Sequence, residues 1–79
     1  MGFAKDEVEI AERAARFLKA ELKRAGVTYD ELARRLKDHG VTETRDSIAS
    51  KLKRGTFAAT FFLGCLAALE MEGVKLADI

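Results

Sequence analysis

The run RDSIASKLKR, Arg45 to Arg54, carries a dense set of chemically able side chains. Arg and Lys meet phosphate oxygens as cations and read guanine edges through their N–H groups, and Ser hydroxyls bond to either. The same run also reads as a solvated helix face, with Arg45, Lys51, Lys53 and Arg54 balanced by Asp46. Asn and Gln are absent from the whole chain, so the usual two-point readers of adenine are missing and guanine is left for Arg and Lys.

Other chemistry is sparse. His39 is the only histidine and Cys65 the only cysteine, which leaves no zinc site of recognised spacing. His39 stands beside Gly40 at a helix end, where an imidazole suits the dipole. Cys65 lies in an apolar arc, where a thiol packs as a small hydrophobe. No phosphate loop, nucleophile elbow or Gly-rich fingerprint occurs. Asp30, Glu31 and Asp38 belong to caps and exposed faces, and Tyr29 to the edge of a core. With no acid–base or nucleophile pair, the expectation is a protein that is not an enzyme and uses no cofactor and no metal.

The elements that must position these residues are helices. A chain of 79 residues with 48% hydrophobic residues makes one small domain, taken here as residues 1–79, whose core is marginal enough for oligomerisation to help. Pro is absent and Ala, Leu, Lys, Arg and Glu abound, which predicts an all-α fold of four to five helices. The net charge of +1 is unevenly spread. Residues 1–12 hold one Lys and four acids, residues 13–54 twelve cations and six acids, and residues 55–79 one Lys and three acids. A basic middle between acidic ends is a mild electrostatic footprint. The opening MGFAKDEVEI lacks an apolar signal core, and one cysteine gives no sign of an oxidising compartment, so a cytoplasmic location is expected.

Helix 1 is expected at about residues 6–25, with Val8, Ala11, Ala15, Leu18 and Leu22 on one face and Gly26 as the stop. Helix 2, about 29–39, opens with Thr28 and Glu31 as a capping box and Val27 with Leu32 as a staple, and buries Leu32, Ala33 and Leu36. Helix 3, about 45–54, buries Ile48, Ala49 and Leu52. Helix 4, about 57–71, is expected to start from a Thr56 cap and to close at Gly73. Val74, Leu76 and Ile79 are available to pad the core.

Helix 4 is the apolar extreme of the chain. From Gly55 to Leu69 no charged residue occurs, and this run of 15 residues falls short of the roughly 20 that span a bilayer, so a core helix is expected and not a membrane span. Its large apolar side chains cover about two-thirds of the circumference, against the stripe of about 100° that a surface helix hides. The remaining strip, Thr60, Gly64, Ala67 and Ala68, is small enough for another helix to approach. A second buried surface is implied, and a homodimer through helix 4 and the termini is expected.

The run LARRLKDHGVTETRDSIASKLKRG resembles the helix-turn-helix of Cro- and repressor-type proteins. Leu32-Ala33 is similar to the packed start of the first motif helix, and Ala49, Leu52 and Gly55 are similar to the core positions and terminating glycine of the recognition helix. The segment LARRL…LKRGTF…FFL also resembles a small bacterial family of unknown function. One departure is visible: Ala33 and Ala49 are 16 positions apart, longer than the repressor pattern by about two helical turns. The repressor resemblance implies a DNA-binding, transcriptional-regulatory domain. On it, Asp46, Ser47 and Lys51 fall at base edges with Arg45 and Ser50 beside them, while Lys53, Arg54 and the Thr28 cap of helix 2 approach phosphates. Glu43 and Asp46 stand where phosphates would come and repel them. The alternative keeps the fold as a protein–protein interaction module without DNA contact, favoured by the near-neutral charge and the lengthened connection.

Overall fold

The computed structural model of the chain describes residues 2–79. Asp6 starts the first helix, its carboxylate accepting a hydrogen bond from the Glu9 amide at 2.9 Å. The helix α1 then runs Glu7–Ala25, with acids in its first turn and Lys23 and Arg24 in its last, as the macrodipole favours. It ends in a left-handed Gly26 (φ 70°), and the Val27 amide reaches back to the Leu22 carbonyl at 3.0 Å. That is the six-to-one bond of a Schellman close.

Helix α2 spans Tyr29–Lys37 from the Thr28 cap, α3 spans Arg45–Arg54, and α4 spans Ala59–Ala68. A 3-10 turn, Leu76–Asp78, follows. The all-α expectation is met, and three of the four α-helices lie within two residues of their expected ends. α2 packs on both α3 and α4, and α1 packs on α4. The shared core holds Leu18, Leu32, Leu36, Ile48, Leu52 and Cys65, all but sealed from solvent. Each such leucine contributes about 2 kcal/mol of transfer free energy. Val8, expected on the buried face, is 66% exposed because the first turns of α1 extend past the core.

Helix α4 differs most from expectation, at both ends. Thr56 does not cap it; the Thr56 hydroxyl accepts from Arg54 Nε at 3.1 Å, and the N-cap is Ala58, which makes no side-chain bond. Phe57 sets the start instead. Its ring stacks on Phe62 at 6.2 Å and meets Phe61 edge-on at 5.3 Å, so residues N′ and N4 form a hydrophobic staple. The far end comes three residues earlier than Met71. Glu70 takes φ 61°, and the Met71 amide bonds to the Leu66 carbonyl at 3.0 Å, closing the helix ahead of Gly73.

The expectation of a doubly buried α4 is narrowed. Phe61, Cys65, Leu66 and Ala68 are buried and Phe62 and Leu69 half-buried within one chain, leaving Leu63 as the one large apolar side chain of α4 in solvent, at 62%. The small strip is also used internally. A Cβ at Gly64 would lie 3.3 Å from Val41 Cγ2 and 3.5 Å from Leu36 Cδ2, so the α2–α3 connection and α2 occupy that gap. A side chain at Gly64 would need Val41 to give by a few tenths of an ångström. No described helix is long and apolar enough to cross a membrane.

Candidate nucleic-acid interface

The expected interface is built on α3, and its positioning begins with a cap. Thr44 accepts from the Ser47 amide at 3.0 Å, while Ser47 Oγ accepts from the Thr44 amide at 2.8 Å. This reciprocal pair is a capping box. At Thr28 only half a box forms. Its hydroxyl accepts from the Glu31 amide at 3.1 Å, but the Glu31 carboxylate turns instead to Arg34 and Arg35. The helix ends at Gly55, whose amide bonds to the Lys51 carbonyl at 3.0 Å.

Ile48 and Leu52 seal the inner side of α3 against the core. The side chains expected at DNA then divide into two groups. Ser47 faces the cap and donates to Glu43 Oε1 at 2.6 Å. Lys51 Nζ donates to both Glu43 oxygens at 2.9 and 3.0 Å and lies 5.4 Å from the centre of the Phe61 ring. Glu43, expected to repel phosphates, has a side chain only 9% exposed and is neutralised by Lys51. Glu43, Ser47 and Lys51 therefore form a pin that fastens the α2–α3 connection to α3, and Thr28 is likewise engaged in its cap.

The second group stays outside. Arg45, Asp46, Ser50, Lys53 and Arg54 are all exposed. Arg45 Nε is 3.7 Å from Asp46 Oδ1, a loose surface pair whose carboxylate remains almost wholly in water. Arg54 leans on the Thr56 carbonyl at 3.1 Å and keeps its guanidinium at the surface. The outer face of α3 thus offers three cations, one hydroxyl and one carboxylate. Its relation to α2 differs from the motif it resembles: seven residues, 38–44, separate the helices, where a helix-turn-helix uses three or four.

Elsewhere the chemistry is quiet. Cys65 is buried, and desolvation, followed by the nearby Glu43 charge, pushes its thiol up to about 12, so it stays protonated and unreactive. Glu31 is the opposite case. Hydrogen bonds from Arg34 first and then Arg35 hold its carboxyl down at about 2. Arg35 also donates to the Ala68 carbonyl at 3.3 Å, tying α2 to the end of α4.

A second basic feature escaped the sequence. Met71, Val74 and Ile79 lie alongside α1 and make with it a groove of about 790 Å³, bordered by Arg13, Arg16 and Arg24. Arg13 closes one end, donating to the backbone carbonyls of Phe3 and Ile79 with its guanidinium 4.3 Å from the Phe3 ring centre. The only sequence signal was the spacing of Arg13, Phe17, Ala20 and Arg24 along one side of α1, apart from its buried stripe.

No curated protein and no solved structure matches the chain. A family pattern does match, over residues 10–74, from the first turn of α1 through all of α4. On that match the chain belongs to the family described as a domain of unknown function, DUF6471.

Proposed function

We propose that this domain is a cytoplasmic, transcriptional-regulatory DNA-binding module that lays the outer face of α3 against duplex DNA and works as a homodimer. The observation that carries this reading is the division of α3. Its inner side is fixed by Ile48, Leu52 and the Glu43–Lys51 pin, which leaves Arg45, Ser50, Lys53 and Arg54 together on a rigid, exposed face. Exposed apolar side chains at Ile10, Leu63 and Leu76 support a partner copy.

The reading sets a salt dependence. Three exposed cations per chain neutralise at most about three phosphates, so log K should fall against log salt with a slope of about −2.7 per chain. Affinity per chain then drops about 40-fold between roughly 50 and 200 mM salt. Fluorescence anisotropy with random duplex DNA measures this. No shift at tens of micromolar protein in low salt ends the DNA reading.

The exposed Asp46 at the start of α3 and the seven-residue connection favour a second reading, a protein–protein interaction module of the same fold. Partners captured from a lysate and retained after nuclease treatment would favour it over DNA.

A further inference from the structure

The first two turns of α1 and the groove beside its second half are complementary in charge. Asp6, Glu7, Glu9 and Glu12 crowd the start of the helix, and between them Val8 and Ile10 are 66% and 45% exposed. The groove is lined by Arg13, Arg16, Arg24 and Lys75 and by the acids Glu21 and Asp78, so cations outnumber carboxylates around an apolar floor of Phe17, Met71 and Val74. Arg16 and Lys75 have no ionic partner among the described residues, and Arg24 is 75% exposed although it meets Glu21 at 2.9 Å. Within their own chain the acids complement the helix dipole, cap the helix at Asp6 and, at Glu9, meet Lys5 and Arg13; Glu7 and Glu12 have no ionic partner among the described residues.

Register places Asp6, Glu9 and Ile10 on the groove side of the helix, with Glu7 and Glu12 at its flanks. Ile10, Phe17 and Arg24 are spaced seven apart, as are Asp6, Arg13 and Ala20, so both sets run along the groove face. An antiparallel second copy, related by a two-fold axis level with the middle of α1, brings residues 6–12 of each chain beside residues 18–24 of the other. The contact is self-complementary, as two-fold symmetry demands. Each acidic turn meets a basic groove, and each Ile10 is carried onto an apolar floor.

We infer that the occupant of the α1 groove is the acidic start of α1 from a second copy of this chain, exchanged reciprocally in an antiparallel dimer. This rests on the homodimer in the proposed function and moves its interface from α4 to α1. None of the groove residues belongs to α2 or α3, so the dimer leaves both α3 faces open. Electrostatic pairing across the two contacts sets the orientation, because a parallel arrangement would oppose like charges.

Two charge-reversed variants test it by sedimentation velocity, with far-UV circular dichroism as the check on folding. In E7K/E9K/E12K the inserted turns become basic, with only Asp6 left acidic, and in R16E/R24E the groove becomes acidic. Each alone should weaken self-association by at least about tenfold. Mixed in equal amounts they should form a heterodimer, because both contacts again join opposite charges, and affinity should return to within about threefold of the parent chain. A variant that had merely unfolded would not be rescued by mixing.

A parent chain that stays monomeric at about 100 μM, where even a weak dimer would form, overturns the inference and the homodimer together. A parent dimer that survives both variants but is lost in Leu63→Glu overturns the groove interface alone. The DNA reading is judged separately, by whether any binding occurs at low salt, while the salt slope reports whether one α3 face or two engage.

Discussion

Replacing Lys51 by methionine separates structure from DNA contact at the residue where the two accounts diverge. The substitution keeps the stem that lies near Phe61 and removes the ammonium that holds Glu43 through bonds of 2.9 and 3.0 Å. Glu43 would keep only the Ser47 hydroxyl, with a carboxylate 9% exposed. Losing charge-assisted bonds to a nearly buried acceptor costs about 1–3 kcal/mol, and less than a full buried pair because Lys51 itself is 27% exposed. For a domain of this size each 1 kcal/mol moves Tm by about 4–8 °C, so Lys51→Met should melt roughly 4–24 °C lower. Lys53→Met, on the exposed face, should leave Tm within about 2 °C, as surface substitutions do. The DNA titration should show the reverse, with Lys53→Met reducing the salt slope by about one unit and Lys51→Met leaving it unchanged. A double-mutant cycle of Lys51→Met with Glu43→Gln completes the assay, with a coupling energy of about 1 kcal/mol or more expected. If Lys51→Met keeps the parent Tm but flattens the salt slope, Lys51 faces DNA and the division of α3 is wrong.

Two further outcomes follow from local geometry. Glu70 holds a left-handed φ of 61° where glycine is usual, so Glu70→Gly should stabilise by about 0.5–1 kcal/mol in urea titrations, and Glu70→Ala, which keeps the strain, should give less. Equal gains from the two would assign the effect to charge at the helix end instead. Glu31 has its carboxyl lowered from 4.5 to about 2 by Arg34 and Arg35, so its contribution is complete above about pH 4.5 and is lost as the pH falls through about 2. Glu31→Gln should flatten stability against pH in that window alone; an unchanged acid limb would show that the pair gives nothing to folding.

Much of the fold was legible in the sequence because it is written locally. Leu32 and Leu36, then Ile48 and Leu52, repeat at helical spacing, and Gly26, Gly40 and Gly55 stand where the backbone turns left-handed. The bounds of α4 were harder for the same reason. A polar residue, Thr56, advertises a cap, but the aromatic contact of Phe57 with Phe62 fixes the helix start, and a strained Glu70 ends it where no composition rule points. The site was half legible. Ser47 and Lys51 look identical in type to Ser50 and Lys53, and only the fold of the α2–α3 connection, which drops Glu43 onto α3, turns the first pair inward. The α1 groove was out of reach, since its second wall is a tail with too little periodicity to place.

That inward turn bears on how such a domain would hold DNA at all. With Lys51 neutralised, one α3 face keeps three cations against Asp46, too few for strong attachment at physiological salt. Pairing two chains through α1 would set two such faces on one duplex and double the phosphates met to about six, giving a slope near −5.4. The loss between roughly 50 and 200 mM salt would then approach 2,000-fold in place of 40-fold. In this scheme the acidic start of α1, which repels DNA in a single chain, is covered by the partner's groove in the dimer. On the proposed reading the charge asymmetry along the sequence would serve binding twice, by joining the chains and by removing negative charge from the surface they share.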